Sequence, residues 1–463
     1  MTTRFSPKSR LRIAAAAAVV TVTAAIATVV TSTSSEPTAI SSQLWSVEAS
    51  EILGREFAIF RSPLVGTEFN MDMGGFIDAG SLVVTMIGMP DRQAYSLDDA
   101  ELVALDADNG TVRWRTSAVD VGGCSETLLG SSVLCFSGPY VSGGSYSLFD
   151  IETGERRDIK TPWAPIIAVV SGDTVLALEG DIESNDVRVH SGTVDDPEAN
   201  WSKAFDVGGS WEAGYVDPVM SVHGDLGVIT LDESLGFDLK TGEQRWVHGY
   251  STCSTAHTSS DGVTLVSDGG CEGNGRPTSE YALDQNGREF ARTDELPSES
   301  SYYGGRYSRD DPAGGSTPII LGHSGFDRTS GEKLWSNSEV FDTAQSLAVI
   351  GNVVAVTRSG SEPEVQFVDL LTGEVLWRSN AERAGEVVWH GDVVIDEGNV
   401  YGTDVRTGQR SWEVQVVQDG DDEFTPWMMP RELWAGEKVL LRSSEDRITA
   451  LKLSRNSVAA NLR

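Results

Sequence analysis

The nine residues "DLLTGEVLW", 369–377, contain an acidic residue, a Thr-Gly pair and a tryptophan in a spacing that recurs along the chain. Related frames read DADNGTVRW from Asp106, DIETGERRD from Asp150, DLKTGEQRW from Asp238, DRTSGEKLW from Asp327 and DVRTGQRSW from Asp404. Weaker copies are DDPEANW from Asp195 and DQNGREF from Asp284. Successive frames begin 35 (Asp369 to Asp404) to 46 residues (Asp238 to Asp284) apart. Such a period indicates a repeat architecture.

Each frame follows two short apolar segments that a turn separates. Before Asp369 these segments are "IGNVVAV", 350–356, and "VQFVD", which ends at Asp369 itself. Glycine beside Asp, Asn or Ser between apolar runs predicts a hairpin, because these residues tolerate the positive φ of tight turns. With the Thr-Gly turn and the tryptophan segment, about four short strands fit each period. This pattern is typical of β-propeller blades.

The two ends of the chain complement each other. The segment "QLWSVEAS" around Trp45 resembles the last strand of a repeat, and "KVLLRSSEDRITALKL", 438–453, resembles the middle of a repeat that lacks its last strand. Pairing these strands closes a ring and leaves no exposed edge. The raw count is nine units. Because eight is the commoner closure and the units around Asp195 and Asp284 are irregular, we favour eight blades over nine.

The repeated residues have structural explanations. One tryptophan per unit offers a large apolar surface for docking between blades. The expected docking residues are Trp45, Trp114, Trp201, Trp246, Trp335, Trp377 and Trp412. Gly242 and Gly373 suit a turn with positive φ, and Asp369 can accept hydrogen bonds from turn N–H groups. Acids that recur in every blade cannot all form one active site. The repeated acids are therefore predicted to be structural, and no catalytic residue is predicted.

The amino terminus resembles an export signal. Arg4, Lys8, Arg10 and Arg12 precede an uncharged apolar run that begins at Ile13. This order predicts a basic cytoplasmic tail (1–12), a transmembrane signal-anchor (13–31), a Ser/Thr-rich linker (32–43), an extracytoplasmic propeller (44–453) and a tail (454–463). Cleavage near "AIA", 25–27, would instead release a secreted protein.

Charge and cysteine content agree with an extracytoplasmic location. The formal net charge of −34 makes nucleic-acid binding improbable, because such a surface repels phosphate. The four cysteines form two local pairs at equivalent places in their repeats, which predicts the disulfides Cys124–Cys135 and Cys253–Cys271. No C-x-x-C, H-E-x-x-H or G-x-S-x-G motif is present, so no metal site or hydrolase elbow is expected.

Two segments between repeats have compositions suited to contact with a partner. Residues 300–316 contain Tyr302, Tyr303, Arg306 and Tyr307 among glycines, and residues 418–434 contain Phe424, Trp427 and Met428 beside an acidic run. Propellers differ from one another mainly in such connections. These residues are the candidate contacts, with plain flexibility or a folded-back lid as the alternatives.

The series "ALDADNGTVRW", "DLKTGEQRW", "DRTSGEKLW" and "DLLTGEVLW" resembles the tryptophan-docking repeat of the pyrroloquinoline-quinone-like, or quinoprotein-type, β-propellers. The resemblance implies either a quinone-dependent dehydrogenase or a cofactor-free scaffold, such as the propeller lipoprotein of the outer-membrane barrel assembly machinery. Many of the dehydrogenases carry an adjacent-cysteine disulfide beside the quinone, and this chain has no Cys-Cys dipeptide. We therefore expect no cofactor.

The functional expectation is a membrane-anchored extracytoplasmic propeller that binds an envelope protein or a small ligand as a scaffold. A pyrroloquinoline-quinone-dependent dehydrogenase and the ectodomain of a sensor complex are the alternatives. The 12 residues before the apolar run are too few for an internal signalling domain, so a sensor would need a partner.

Overall fold

The structure, a computed structural model, describes most of the chain from residue 41 onward. The described residues are 41–67, 75–91, 96–138, 143–180, 186–206, 219–230, 233–249, 255–259, 262–269, 277–296, 317–358, 364–380, 387–389, 391–396, 400–414, 432–436 and 439–453. The predicted anchor, 13–31, lies outside them. In the described part, no helix has the length and apolar character needed to cross a membrane.

The described residues form nine antiparallel sheets, one per repeat, and these are the blades of a β-propeller. Seven sheets have four strands, the first has five because two short strands share one edge, and the sixth has three. Blades are numbered along the chain, and the ninth contains the first strand of the structure.

The strands of blades 1 to 3 alternate with short connections. Blade 1 contains Ile59–Arg61, Ile77–Ala79, Leu82–Asp91, Ser96–Asp106 and Val112–Ser117. Blade 2 contains Gly123–Cys124, Ser132–Phe136, Gly144–Asp150 and Arg156–Thr161. Blade 3 contains Pro165–Ser171, Thr174–Gly180, Asp186–Gly192 and Trp201–Asp206.

The strands of blades 4 to 6 follow the same order. Blade 4 contains Val219–His223, Leu226–Thr230, Glu233–Asp238 and Gln244–Gly249. Blade 5 contains Thr255–Thr258, Thr264–Gly269, Pro277–Leu283 and Glu289–Thr293. Blade 6 contains Ile319–Leu321, Ser324–Phe326 and Lys333–Ser336.

The strands of blades 7 to 9 complete the ring. Blade 7 contains Ala344–Ile350, Val353–Arg358, Glu364–Asp369 and Val375–Ser379. Blade 8 contains Val388–Trp389, Asp392–Asp396, Val400–Asp404 and Arg410–Val414. Blade 9 contains Glu432–Ala435, Leu440–Ser443, Arg447–Leu453 and Ser41–Glu48. Two short helices, α1 (Ala49–Leu53) and α2 (Ser338–Phe341), lie in connections between blades.

The ring closes as the sequence predicts. Strand Ser41–Glu48 pairs antiparallel with Arg447–Leu453, so that Gln43 lies opposite Leu451 and Trp45 opposite Ala450. The first strand begins at Ser41, inside the segment assigned from sequence to the linker. Closure removes the two edges that an open row of blades would expose.

The preference for eight blades is wrong. The units around Asp195 and Asp284 both form complete four-stranded sheets, so neither is an insertion. Both units keep the alternation of strands and turns although their frames are degenerate. The hairpin pattern therefore predicts blade number better than the Thr-Gly-Trp frame does.

The core consists of apolar layers between neighbouring blades, and blade 7 shows why its middle strands carry apolar residues on both faces. In Val353–Arg358, Val353 and Ala355 pack in a cluster with Val393 of blade 8. Val354 and Val356 pack on the other side with Ile320 of blade 6. Because side chains alternate across a strand, a strand with a blade on each face is buried on both.

Candidate functional site

The turns between first and second strands and those between third and fourth strands lie together on one side of the ring, here called the turn face. Backbone hydrogen bonds join the two kinds of turn within a blade, as from Leu370 N–H to the Asn352 carbonyl at 2.9 Å. All other connections leave the opposite ends of the strands, here called the loop face. The repeated frames therefore all belong to the turn face.

The repeated tryptophans connect each blade to the next. In six blade interfaces, the indole N–H donates to the backbone carbonyl of the residue after the frame aspartate in the following blade. The pairs are Trp45–Ala107, Trp114–Ile151, Trp201–Leu239, Trp246–Gln285, Trp335–Leu370 and Trp377–Val405, at 2.7 to 3.0 Å. The docking role expected from the repeat is thus an inter-blade hydrogen bond as well as an apolar contact.

The frame glycine has a second role that the sequence did not reveal. Gly373 has φ +74°, as the turn requires, and a Cβ atom added to it would lie 2.6 Å from the Trp335 ring of the preceding blade. Equivalent contacts join Gly110 to Trp45 and Gly408 to Trp377. The glycine of one blade therefore makes room for the indole of the blade before it.

The frame aspartate holds the turn. Its Oδ1 accepts a hydrogen bond from the N–H two residues later in seven frames, those of Asp106, Asp150, Asp238, Asp284, Asp327, Asp369 and Asp404. At Asp238, the Arg245 guanidinium, followed by the Thr241 backbone N–H, lowers the carboxyl pKa to about 2. These carboxylates already accept hydrogen bonds from turn N–H groups and guanidinium groups, so their role is to stabilise the fold.

Three interfaces depart from the pattern. Blade 2 has Asp158 in the tryptophan position, and blade 5 has Phe290, whose carbonyl lies against the Gly331 turn. In blade 8, Trp412 is buried, packs edge-on against Trp389 at 5.7 Å and has no hydrogen-bond partner for Nε1 among the described residues. The third and fourth strands of blade 9 come from opposite chain ends, and the residues that follow Leu453 lie outside the described ones.

A polar cluster around His190 lies beside the apolar layer between blades 2 and 3 that contains Tyr146 and Trp163. His190 is 1 % exposed and stacks on Trp163 with ring centroids 3.8 Å apart. Its Nε2 lies 3.0 Å from Glu179 Oε2, and its Nδ1 lies 2.9 Å from Glu198 Oε1. Beside it, Tyr146 Oη and Trp163 Nε1 are buried without a hydrogen-bond partner in the described region. Burial raises the pKa of Tyr146.

This cluster superficially resembles a Ser-His-Glu triad, because Ser202 Oγ lies 3.3 Å from His190 Nδ1. A nucleophilic serine needs a ring nitrogen that can take its proton. Here Glu198 lies closer to that nitrogen, and Ser202 Oγ accepts from Arg188 Nη1 at 3.2 Å. We therefore interpret the cluster as structural, with the stack of His190 on Trp163 joining blade 3 to the connection that precedes it. Asp158 at a tryptophan position is the sequence signal that could have marked this interface as different.

The structure describes only some of the candidate residues that lie outside the repeat. Cys124 and Cys135 form the expected disulfide, with Cα atoms 3.9 Å apart, at the loop-face ends of two paired strands. Cys253 and Cys271 lie outside the described residues, as do the candidate contacts Tyr302, Tyr303, Arg306, Tyr307, Phe424, Trp427 and Met428. Those predictions therefore remain predictions.

No group of three or more His, Cys, Asp and Glu side chains in the described ranges is arranged to hold a metal ion. The disulfide joins residues 11 positions apart, whereas the ring beside the quinone in many family dehydrogenases joins adjacent cysteines. The Cys124–Cys135 pair is therefore not an adjacent-cysteine ring.

Comparison with known proteins agrees with the architecture. Residues 324–461 match the family model described as outer membrane protein assembly factor BamB. No curated protein matches the chain by sequence.

Similar solved structures include BamB from Moraxella catarrhalis, which is 14% identical, with 89% of this chain and 100% of that chain covered and a TM-score of 0.44. Quinohemoprotein alcohol dehydrogenase ADHIIG from Pseudomonas putida HK5 is 11% identical, with 91% and 77% covered and a TM-score of 0.45. Sqt1 from Saccharomyces cerevisiae is 10% identical, with 86% and 98% covered and a TM-score of 0.44. At these scores the likenesses carry no argument about activity. The match over residues 324–461 and the nine-bladed ring of the described residues agree with the resemblance of the repeat to the pyrroloquinoline-quinone-like β-propellers.

Proposed function

We propose that the chain is an extracytoplasmic propeller that binds other proteins of the cell envelope as a scaffold, held at the membrane by residues 13–31. The observation that carries this proposal is the difference between the two faces. On the turn face, the aspartates, glycines and tryptophans of the frames are engaged in contacts within and between blades. The frame residues of the turn face therefore stabilise the ring.

The loop face has the variability expected of a binding surface. Turn-face connections are short, as from Ile350 to Val353, whereas loop-face connections extend from Thr293 to Ile319 and from Val414 to Glu432. Connections that differ in length and sequence on a rigid frame commonly carry recognition. The loop face is therefore the proposed partner surface.

Three further observations support the proposed location and role. The basic residues and apolar run at the amino terminus suit export. The Cys124–Cys135 disulfide suits an oxidising compartment. The family model that matches residues 324–461 is described as an assembly factor, a role that proceeds through protein contacts.

Site-specific photo-crosslinking of the full chain in intact cells tests the proposal. A photoreactive amino acid at Val119, 48% exposed between blades 1 and 2, probes the loop face, and one at Leu371, 53% exposed in a frame turn, is the matched control on the turn face. We expect protein adducts from position 119 and few from position 371. Equal yields from both positions, or none, would contradict the scaffold role.

A quinone titration separates the enzymatic alternative. Absorbance of the purified protein is followed as pyrroloquinoline quinone and calcium are added. The scaffold proposal expects no saturable spectral change. Stoichiometric binding, together with dye reduction in the presence of an alcohol or sugar, would support the dehydrogenase instead.

A further inference from the structure

The turn that follows α1 places an aromatic side chain where both backbone and solvent disfavour it. The Ala58 N–H donates to the Arg55 carbonyl at 3.3 Å, and Phe57, the third residue of this turn, has φ +71°. Glycine and asparagine are the usual residues at such a position. A bulky residue there is an outlier, and the Phe57 side chain is 74% exposed. Neither turn geometry nor core packing explains a phenylalanine here.

The turn is fastened to blades 1 and 9. Arg115 of blade 1 donates to the Ile52 carbonyl at the end of α1 and pairs with Glu101 at 2.7 Å. Arg55 pairs with Asp99 at 2.8 Å. On the other side, Phe60 N–H donates to the Glu445 carbonyl in blade 9 at 2.6 Å. An exposed aromatic on a fastened turn loses little conformational freedom on binding, which favours affinity.

The surroundings of Phe57 are acidic. Glu51, Glu56 and Asp98 are exposed on the same helix, turn and neighbouring strand, and Arg55, the one basic residue of the turn, already faces Asp99. The four carboxylates against one guanidinium give this surface a net charge of −3. Acidic surroundings complement a cationic protein surface and oppose insertion into an anionic lipid surface.

We propose that Phe57 is the anchor of a partner-binding site on the loop face, inserted into an apolar pocket that lies within a cationic surface of another protein. This inference rests on the proposed scaffold function and adds to it the position of one contact and the chemistry of the partner. Aromatic anchors in fixed orientation carry a large part of the affinity in many interfaces. The strained backbone at Phe57 then persists because the side chain is required for binding.

Photo-crosslinking at position 57 tests the site directly. The full chain with a photoreactive phenylalanine at position 57 is irradiated in intact cells, and adducts are mapped by mass spectrometry beside those from Val119 and Leu371. We expect adducts to Lys/Arg-rich peptides of a protein, in a yield that falls when membranes are irradiated in high salt. Adducts to lipid alone, or to acidic peptides, would overturn the inference.

The controls distinguish failure of this site from failure of the scaffold function. Protein adducts from position 119 with none from position 57 would reject the Phe57 site and leave the scaffold role intact. An absence of protein adducts at both positions would reject both proposals.

A substitution separates binding from stability. Phe57→Gly relieves the positive φ and removes an exposed side chain, so we expect an unchanged or higher thermal midpoint. Affinity for the partner identified by crosslinking should fall by about tenfold or more. Leu371→Ala, an exposed apolar residue on the turn face, should leave the affinity unchanged. Retained affinity in Phe57→Gly would overturn the inference.

Discussion

Trp335 of blade 6 donates its indole N–H to the Leu370 carbonyl of blade 7 at 2.7 Å. This hydrogen bond joins the tryptophan of one repeat to the turn of the next, so the frame is a device that works across blade boundaries. The contact is repeated at most interfaces of the ring. Substitutions in one blade are therefore expected to act on the interface with a neighbour.

The glycine beneath the indole gives the most local prediction. Gly373→Ala forces a Cβ atom to 2.6 Å from Trp335 and also strains a backbone with φ +74°. Gly351→Ala strains a similar backbone, φ +59°, with nothing within 4 Å of the added atom. We expect Gly373→Ala to lower the free energy of unfolding by about 1–3 kcal/mol more than Gly351→Ala does, measured by urea denaturation. Equal losses would show that backbone strain alone explains the glycine.

The frame aspartates predict sensitivity to acid. Asp238 has its pKa lowered to about 2, first by the Arg245 guanidinium and then by the Thr241 N–H. The Ser330 backbone N–H and hydroxyl lower the pKa of Asp327. For Asp404, desolvation raises the pKa, but the donors of Thr407 and Arg406 together outweigh it and the pKa is lowered. A carboxyl whose pKa is lower in the folded state contributes stability above its unfolded pKa of about 4, and this contribution is lost as the pH falls toward 2.

We therefore expect the urea midpoint to fall between pH 4 and pH 2. Asp238→Asn should be less stable than the parent at pH 6, and the difference should shrink toward pH 2. A constant difference across that range would mean that the carboxylate charge is not what stabilises the turn.

The disulfide offers a third prediction. Cys124 and Cys135 are both buried, and the loop they close is short. Replacing both by alanine is expected to lower the free energy of unfolding by about 2–4 kcal/mol. In a background with Cys253→Ala and Cys271→Ala, the same loss should appear on reduction, and the reduced protein should unfold together with the variant that also lacks Cys124 and Cys135. A reduced parent that remains as stable as the oxidised one would contradict a structural role.

The sequence predicted features that repeat and missed features that do not. Trp114 and Trp335 were assigned to docking because they recur at a fixed place in the frame. Their acceptors could not be predicted, since each lies in the next blade and depends on how the blades stack. Blade number was misjudged because Asp195 and Asp284 introduce weak frames, although the strands around them are complete.

Residues that do not belong to the repeat gave no periodic signal in the sequence. His190, in the third strand of blade 3, and Trp163, in the connection before that blade, come together only in the folded structure, so spacing along the chain does not join them. Phe57 follows a short helix that no repeat contains, and its positive φ is a property of the folded turn. Prediction of the candidate site from sequence was therefore limited to composition, whereas the closed ring followed from the complementary chain ends.

The turn face and the loop face both depend on a ring that is closed by its terminal strands. An engineered disulfide between those strands tests the closure most directly. Ser46 and Thr449 lie opposite each other in the closing strand pair, with their hydroxyl oxygens 3.1 Å apart. In the full chain carrying Ser46→Cys and Thr449→Cys, peptide mapping after mild oxidation should find an intramolecular 46–449 crosslink and a raised thermal midpoint. Free thiols at both positions, or crosslinks only between molecules, would contradict a ring closed by its terminal strands.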